Sequence, residues 1–263
     1  LQEAPGGGGA AELLSLQAVS FSYGGVQAIA DLDLTVRTAT VTGLIGPNGA
    51  GKTTTFNLIC GEIHPQGGEI RFHGLAINNL SPCQISRMGI SRTFQEIHLF
   101  PSRTVREHVF LAQYARLRVG VVESIIGTRR SRREQREAEQ RGFDILRRVG
   151  LEEYADMAAV HLPYGLQRRV EFARALAAAP RLILLDEPTA GMNVDESDQV
   201  VQLIRGLLDL EVTVLLVEHD MRVVMGVCSE VWVMNYGRII ARGSPQQIRN
   251  DPLVIEAYLG EQA

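Results

Sequence analysis

The residues from Gly46 to Thr53, Gly-Pro-Asn-Gly-Ala-Gly-Lys-Thr, satisfy the pattern GxxxxGK[ST] at every required position. Glycines at this spacing let successive backbone N–H groups converge on phosphate oxygens, where side chains would obstruct them. Lys52 then offers a compact ammonium to the β and γ phosphates. Thr53 offers a hydroxyl to Mg2+, a hard cation that takes the rest of its octahedral shell from phosphate and water. The 26 basic residues are all arginine except this one lysine. Gly46, Asn48, Gly49, Ala50, Gly51, Lys52, Thr53 and Thr54 are therefore the candidate nucleotide contacts. A second cluster, Leu182-Ile-Leu-Leu-Asp-Glu187, is an apolar strand that ends in two carboxylates. A buried parallel strand delivers such acids to the carboxyl edge of a sheet. Asp186 is the candidate Mg2+ ligand, directly or through water. Glu187 is the candidate general base for an attacking water, which implies hydrolysis and not binding alone.

These groups need a scaffold, and the hydrophobic pattern supplies one. The run Val41 to Ile45 reads as a strand entering the glycine loop, and Thr54 to Cys60 as a helix leaving it, stopped by Gly61. Leu13 to Val19 and Gly68 to His73 read as further strands. From Ser102 to about Asp156 the apolar positions Val105, Val109, Ala112, Phe143, Leu146 and Val149 recur at helical spacing, as in an inserted helical lobe. Alternation then returns: helix Gln167 to Ala179, strand Leu182 to Leu185, helix Glu196 to Leu208, strand Val212 to Val217. Strand alternating with helix predicts a parallel sheet. Val231 to Asn235 and Arg238 to Ala241 predict a hairpin about Tyr236-Gly237, and Pro245 to Leu259 predicts two short helices.

Composition narrows the classes. The 263 residues, 45% hydrophobic and 21% charged, suit an ordinary globular chain. The apolar runs are strand-sized, far below the ~18 residues of a membrane span. Leu1 to Ala11, with four consecutive glycines, reads as a flexible tail. Cys60, Cys83 and Cys228 are scattered and odd in number, which predicts a reduced, cytoplasmic setting without a zinc or redox pair. The net charge of -4 argues against general nucleic-acid binding. The basic run Arg129 to Arg136 is most simply a solvated helix face or loop, with anionic lipid as the other reading.

With these motifs in place, the chain from Leu13 onward resembles the ATP-binding subunits of ABC transporters. Gln95 in Arg92-Thr-Phe-Gln95 looks like that family's Q-loop glutamine, and Asp186-Glu-Pro-Thr189 like its acidic strand end. His219 in Val217-Glu-His-Asp220 looks like its switch histidine. Leu162-Pro-Tyr-Gly-Leu-Gln-Arg-Arg169 is similar to its helix-heading signature motif, but Pro163, Tyr164 and Leu166 replace the usual serine, glycine and glutamine. Pro163 has neither a hydroxyl nor an N–H to offer. Ala190-Gly-Met-Asn193 likewise departs from the usual Ser-Ala-Leu-Asp.

The resemblance implies an α/β fold: a P-loop NTPase parallel-sheet core with an antiparallel β part and a helical subdomain inserted at about 98–178. One ABC ATPase domain would span 13–263 after a flexible tail at 1–12. It implies ATP and Mg2+ as ligands, Glu187, His219 and Gln95 as catalytic residues, and Thr53, Gln95 and Asp186 around the metal. Tyr23, in Phe21-Ser-Tyr-Gly24, would stack on adenine, and Tyr164 and Gly165 would meet nucleotide held by a second subunit.

Within the family, the Tyr-Gly signature, Met192-Asn193, Glu218-His-Asp-Met-Arg222 and Tyr258-Leu-Gly-Glu261 most resemble importers of branched-chain amino acids. Urea and amide importers share much of the pattern. The implied partners are a non-identical second ATP-binding subunit, two integral membrane permeases and, indirectly, an extracytoplasmic solute-binding protein. The implied location is the cytoplasmic face of the cell membrane, and no nucleic acid is expected. A soluble ABC-type ATPase acting on nucleic acid or the ribosome usually carries two cassettes or a long coiled coil, neither of which is visible here. A P-loop kinase or switch protein needs no signature segment.

Overall fold

In chain order the computed structural model, which describes residues 11–93, 98–114 and 129–259, begins with two long strands, β1 (Glu12–Tyr23) and β2 (Val26–Arg37). Next come β3 (Val41–Ile45), α1 (Lys52–Ile59), β4 (Gly67–Phe72), β5 (Leu75–Ala76), α2 (Pro82–Met88) and β6 (Ile90–Arg92). A helical section follows: α3 (Val105–Tyr114), α4 (Arg129–Arg148) and α5 (Tyr164–Ala177). The chain then runs through β7 (Leu182–Asp186), α6 (Val194–Leu208), β8 (Thr213–Val217) and α7 (Met221–Val227). It closes with β9 (Glu230–Asn235), β10 (Arg238–Gly243), α8 (Pro245–Arg249) and α9 (Pro252–Leu259).

Two sheets result. One has the order β2-β1-β4-β5, antiparallel throughout, and the other the order β10-β9-β3-β8-β7-β6. In the second, β9, β3, β8, β7 and β6 are parallel and only the β9–β10 hairpin is antiparallel. β3, β7 and β8 are buried at every residue, as strands covered on both faces must be. Their side chains sort by the two-residue period of a strand. Ile183, Leu185, Val214 and Leu216 pack into a core shared with the helices. Leu182, Leu184, Leu215 and Val217 pack into a second core shared with α1 and the antiparallel sheet. Each such fully buried side chain contributes about 1.5–3 kcal/mol.

The expected strands and helices are present with shifted ends: β1 starts at Glu12, inside the stretch expected to be a tail, and runs on to Tyr23. The helix expected from Gln167 begins at Tyr164. Five elements, β2, β5, α2, β6 and α7, were not predicted. For β2 the reason is visible. Leu32, Leu34 and Val36 alternate inward with Asp31 and Asp33 outward, and aspartate is depleted in strands. Both acids serve irregularities in the β1–β2 ladder. Asp33 Oδ1 accepts the Ala18 N–H at 2.8 Å, and Asp31, itself at φ +51°, donates its N–H to Ser20 Oγ at 3.0 Å.

Candidate nucleotide site

The parallel order β3-β8-β7-β6 places the carboxyl ends of four strands side by side. β3 ends in the glycine loop, β8 in Glu218 and His219, β7 in Asp186 and Glu187, and β6 in Arg92. Open α/β sheets hold their ligands along such an edge.

The loop is shaped by its glycines. A side chain on Gly46 (φ +151°) would place its first carbon 2.1 Å from the Met234 carbonyl oxygen. One on Gly51 (φ +107°) would come within 2.8 Å of Ile29 and 2.9 Å of the Ala28 carbonyl. Gly51 is the N-cap of α1, which has no side-chain cap and no acid in its first turn. Its first N–H groups therefore face the loop with the positive end of the helix dipole. Lys52 is buried and donates from Nζ to the carbonyls of Gly46 at 2.6 Å and Pro47 at 2.8 Å. The Tyr236-Gly237 turn braces the loop, because the Gly237 N–H donates to the Ala50 carbonyl at 2.9 Å.

Asp186 and Glu187 stand in different surroundings. The Asp186 side chain is 5% exposed and its Oδ2 lies 2.9 Å from an Arg92 Nη. Glu187 adopts φ +47°, a left-handed conformation that costs a non-glycine residue about 1–2 kcal/mol. It is held there by its N–H, which donates to the Val217 carbonyl at 2.9 Å. Its carboxylate comes within 3.5 Å of His219 Nδ1, so the expected base and the expected switch histidine meet.

Sequence reasoning missed two residues at this edge. Glu218, 1% exposed, accepts from the Thr189 N–H at 3.0 Å, the Thr189 hydroxyl at 2.5 Å and the His219 N–H at 3.1 Å. It fixes the turn after Glu187 against the turn that carries His219. Arg92 joins β6 to Asp186 and, at 2.7 Å, to Asn57 Oδ1 on α1. A carboxylate directly after an apolar strand was the available signal for Glu218, as it was for Asp186. Arg92 gave none, because its strand was not recognised.

Tyr23, Tyr164 and Gly165 lie apart from this cluster. Gln95 is outside the described residues. Tyr23, half exposed at the end of β1, meets Phe21 edge-on with ring centroids 4.7 Å apart. Tyr164 and Gly165 begin α5, whose N-cap is Pro163 and which has no side-chain cap. The Tyr164 hydroxyl donates to the Ala190 carbonyl at 3.3 Å and accepts from Arg168 at 3.1 Å. This seats the head of α5 on the turn that follows Thr189. The carbonyl of Pro163 accepts from the N–H groups of Leu166 and Gln167.

Residues 29–190 match the family model described as ABC transporter. The chain belongs to the ABC transporter ATP-binding family. It is an ATP-binding, ABC-type ATPase with the P-loop parallel-sheet core and antiparallel part of that fold. It is 43% identical over 250 residues to the high-affinity branched-chain amino acid transport ATP-binding protein LivG of Escherichia coli K12, covering 95% of this chain and 98% of that one. It is 42% identical, with the same coverage, to the corresponding protein BraF of Pseudomonas aeruginosa. A second family model, described as branched-chain amino acid ATP-binding cassette transporter, matches residues 238–263. Among solved structures, the ADP conformation of MJ1267, an ATP-binding cassette of an ABC transporter, superposes with a TM-score of 0.83 at 28% identity, covering 95% of this chain and 99% of that one. Among the described residues, no helix is long and apolar enough to cross a membrane.

Proposed function

We propose that the chain is the ATP-hydrolysing subunit of an importer of branched-chain or other hydrophobic amino acids. It would act at the cytoplasmic face of the membrane with a non-identical ATPase subunit, two permeases and, indirectly, a solute-binding protein. One observation carries the substrate class: the match at residues 238–263 to the branched-chain amino acid cassette model, beyond the general cassette match at 29–190.

In this reading the N–H groups from Gly46 to Thr54 cradle the phosphates, and Lys52 leaves its own loop carbonyls for them. Thr53 and Asp186 hold Mg2+. Among the described residues no group of three or more His, Cys, Asp or Glu could form an all-protein cage. One hydroxyl and one carboxylate fit a cation that draws most of its shell from phosphate and water. Glu187 takes a proton from the attacking water, His219 beside it senses the γ phosphate, Gln95 reaches the metal and Tyr23 stacks on adenine. Tyr164 and Gly165, seated on the Ala190 turn and not on the P-loop, serve the nucleotide of the neighbouring subunit. The domain extends over 13–263 with its helical subdomain at about 98–178. A cleft of about 260 Å3 between that subdomain and the core, lined by Cys60, Arg92, Glu171 and Arg174, would take a permease segment.

The test is to purify the Glu187→Gln chain with ATP from its native cells in mild detergent and to identify what co-elutes by mass spectrometry. Two multi-spanning proteins and a second ATPase are expected. Ribosomal or DNA-processing proteins without membrane partners would overturn the transport reading.

A further inference from the structure

We propose that Arg92 is the built-in counter-cation of Asp186: it holds the carboxylate in the metal-free chain, and the divalent ion enters by exchange with it. Arg92 would then set the metal concentration at which the site fills. The inference rests on the reading of Asp186 as a metal ligand.

A carboxylate that is 5% exposed needs a charge partner whether or not a metal is present. Arg92 supplies it at 2.9 Å, and is itself only 8% exposed. A guanidinium and a divalent cation drawn to one carboxylate repel each other, so each weakens the other's hold, and by linkage the effect is reciprocal. The structure also gives the guanidinium somewhere to remain once Asp186 turns to the metal. Asn57 Oδ1 lies 2.7 Å from one Nη, Glu62 Oε1 lies 3.4 Å from the same atom, and the Phe56 ring centroid lies 5.6 Å from the guanidinium carbon. All three belong to α1 or the turn after it, so the exchange would shift Arg92 towards the helix that begins with Lys52. Arg92 also lines the cleft between the helical lobe and the core, beside Glu171 and Arg174. Filling the metal site would thereby alter the charge presented in that cleft.

Mn2+ with ADP, followed by electron paramagnetic resonance, reads metal binding without turnover. In the full chain, Arg92→Met is expected to lower the Mn2+ midpoint by about tenfold. In EDTA it should lower Tm by roughly 10 °C, and saturating Mn2+ with ADP should restore at least half of that loss. Arg92→Lys, which keeps the charge, should stay within about twofold of the parent midpoint. An unchanged midpoint in Arg92→Met, with the same Tm deficit in both conditions, would reduce Arg92 to a structural ion pair and overturn the proposal. A second measurement uses the unmodified chain, in case Arg92→Met does not fold. The Arg92 Nε–H resonance, assigned by its loss in Arg92→Lys, should move when Mg2+ and ADP are added and stay put with ADP in EDTA. An unmoved resonance overturns the exchange. Asp186→Asn separates the two layers: if it binds Mn2+ like the parent, the metal-ligand reading itself fails, whatever Arg92 does.

Discussion

Lys52 and Glu187 are both held by backbone groups close to them. Lys52 Nζ bonds two carbonyls of its own loop, so the loop keeps its shape around a buried charge before phosphate arrives. Lys52→Ala should weaken ATP binding by roughly 100-fold, the loss of a charge-assisted contact in a shielded site, measured by titration calorimetry. An unchanged affinity would remove the lysine from phosphate binding. Glu187 sits in a left-handed conformation beside His219, a strain of the kind that accumulates where geometry serves chemistry. Glu187→Gln keeps the shape and removes the basic oxygen. It should bind ATP like the parent while turnover falls about 100-fold or more, followed by phosphate release. Hydrolysis at the parental rate would transfer the base to another residue. Lys52, Asp186 and Glu187 were legible in the sequence because each carries its signal in adjacent residues. Arg92 was not, since its partner Asp186 lies 94 residues away and only the sheet order brings them together. Glu218 carried a local signal, a carboxylate directly after an apolar strand, but its partner Thr189 stands 29 residues before it.

The continuous apolar runs and the helical spacings were read correctly, and β2, whose alternation uses aspartates, and the short β6 were not. β3, β7 and β8 are short apolar runs buried on both faces. β2 carries Asp31 and Asp33 to complete an irregular ladder with β1, and a count of apolar residues finds no strand there. β6 is three residues long and is held by pairing with β7, a contact that no local pattern encodes. In α3, one residue fixes the segment that leads into the helix. His108 is 1% exposed, accepts the Phe100 N–H on Nε2 at 2.9 Å and bonds the Thr104 carbonyl through Nδ1 at 2.8 Å. The proton therefore belongs on Nδ1, and a second one on Nε2 would face an N–H donor. Burial pushes the His108 pKa below 6.5, and the bond to Thr104 opposes this in part. The unfolded chain thus takes up the proton first. This contribution to stability is complete above the unfolded value and is lost as pH falls through it towards the lower folded value. Between pH 7.5 and 5.5 the Tm of the parent should fall more steeply than that of His108→Gln. Parallel curves in differential scanning calorimetry would show that His108 is not the group responsible.

At the scale of the molecule, the central sheet divides two hydrophobic cores. Two side chains of α5 hold one residue, His98, from both sides. The His98 N–H donates to Glu171 Oε1 at 3.3 Å, and the His98 carbonyl accepts from Arg174 at 2.6 Å. Glu171 and Arg174 lie three residues apart on α5, one turn of the same helix, with Arg168 pairing Glu171 at 3.1 Å from the turn before. Burial pushes the Glu171 pKa up, and the His98 N–H and Arg168 oppose that shift. Arg174→Ala removes one side of the grip and leaves the strand ends untouched. Amide hydrogen exchange at His98 should speed up at least tenfold, because the residue loses the carbonyl contact that holds its N–H against Glu171. ADP affinity should be unchanged, since Arg174 contacts none of the strand ends or the glycine loop. If His98 exchanges at the parental rate, the Arg174 contact does not hold it in solution.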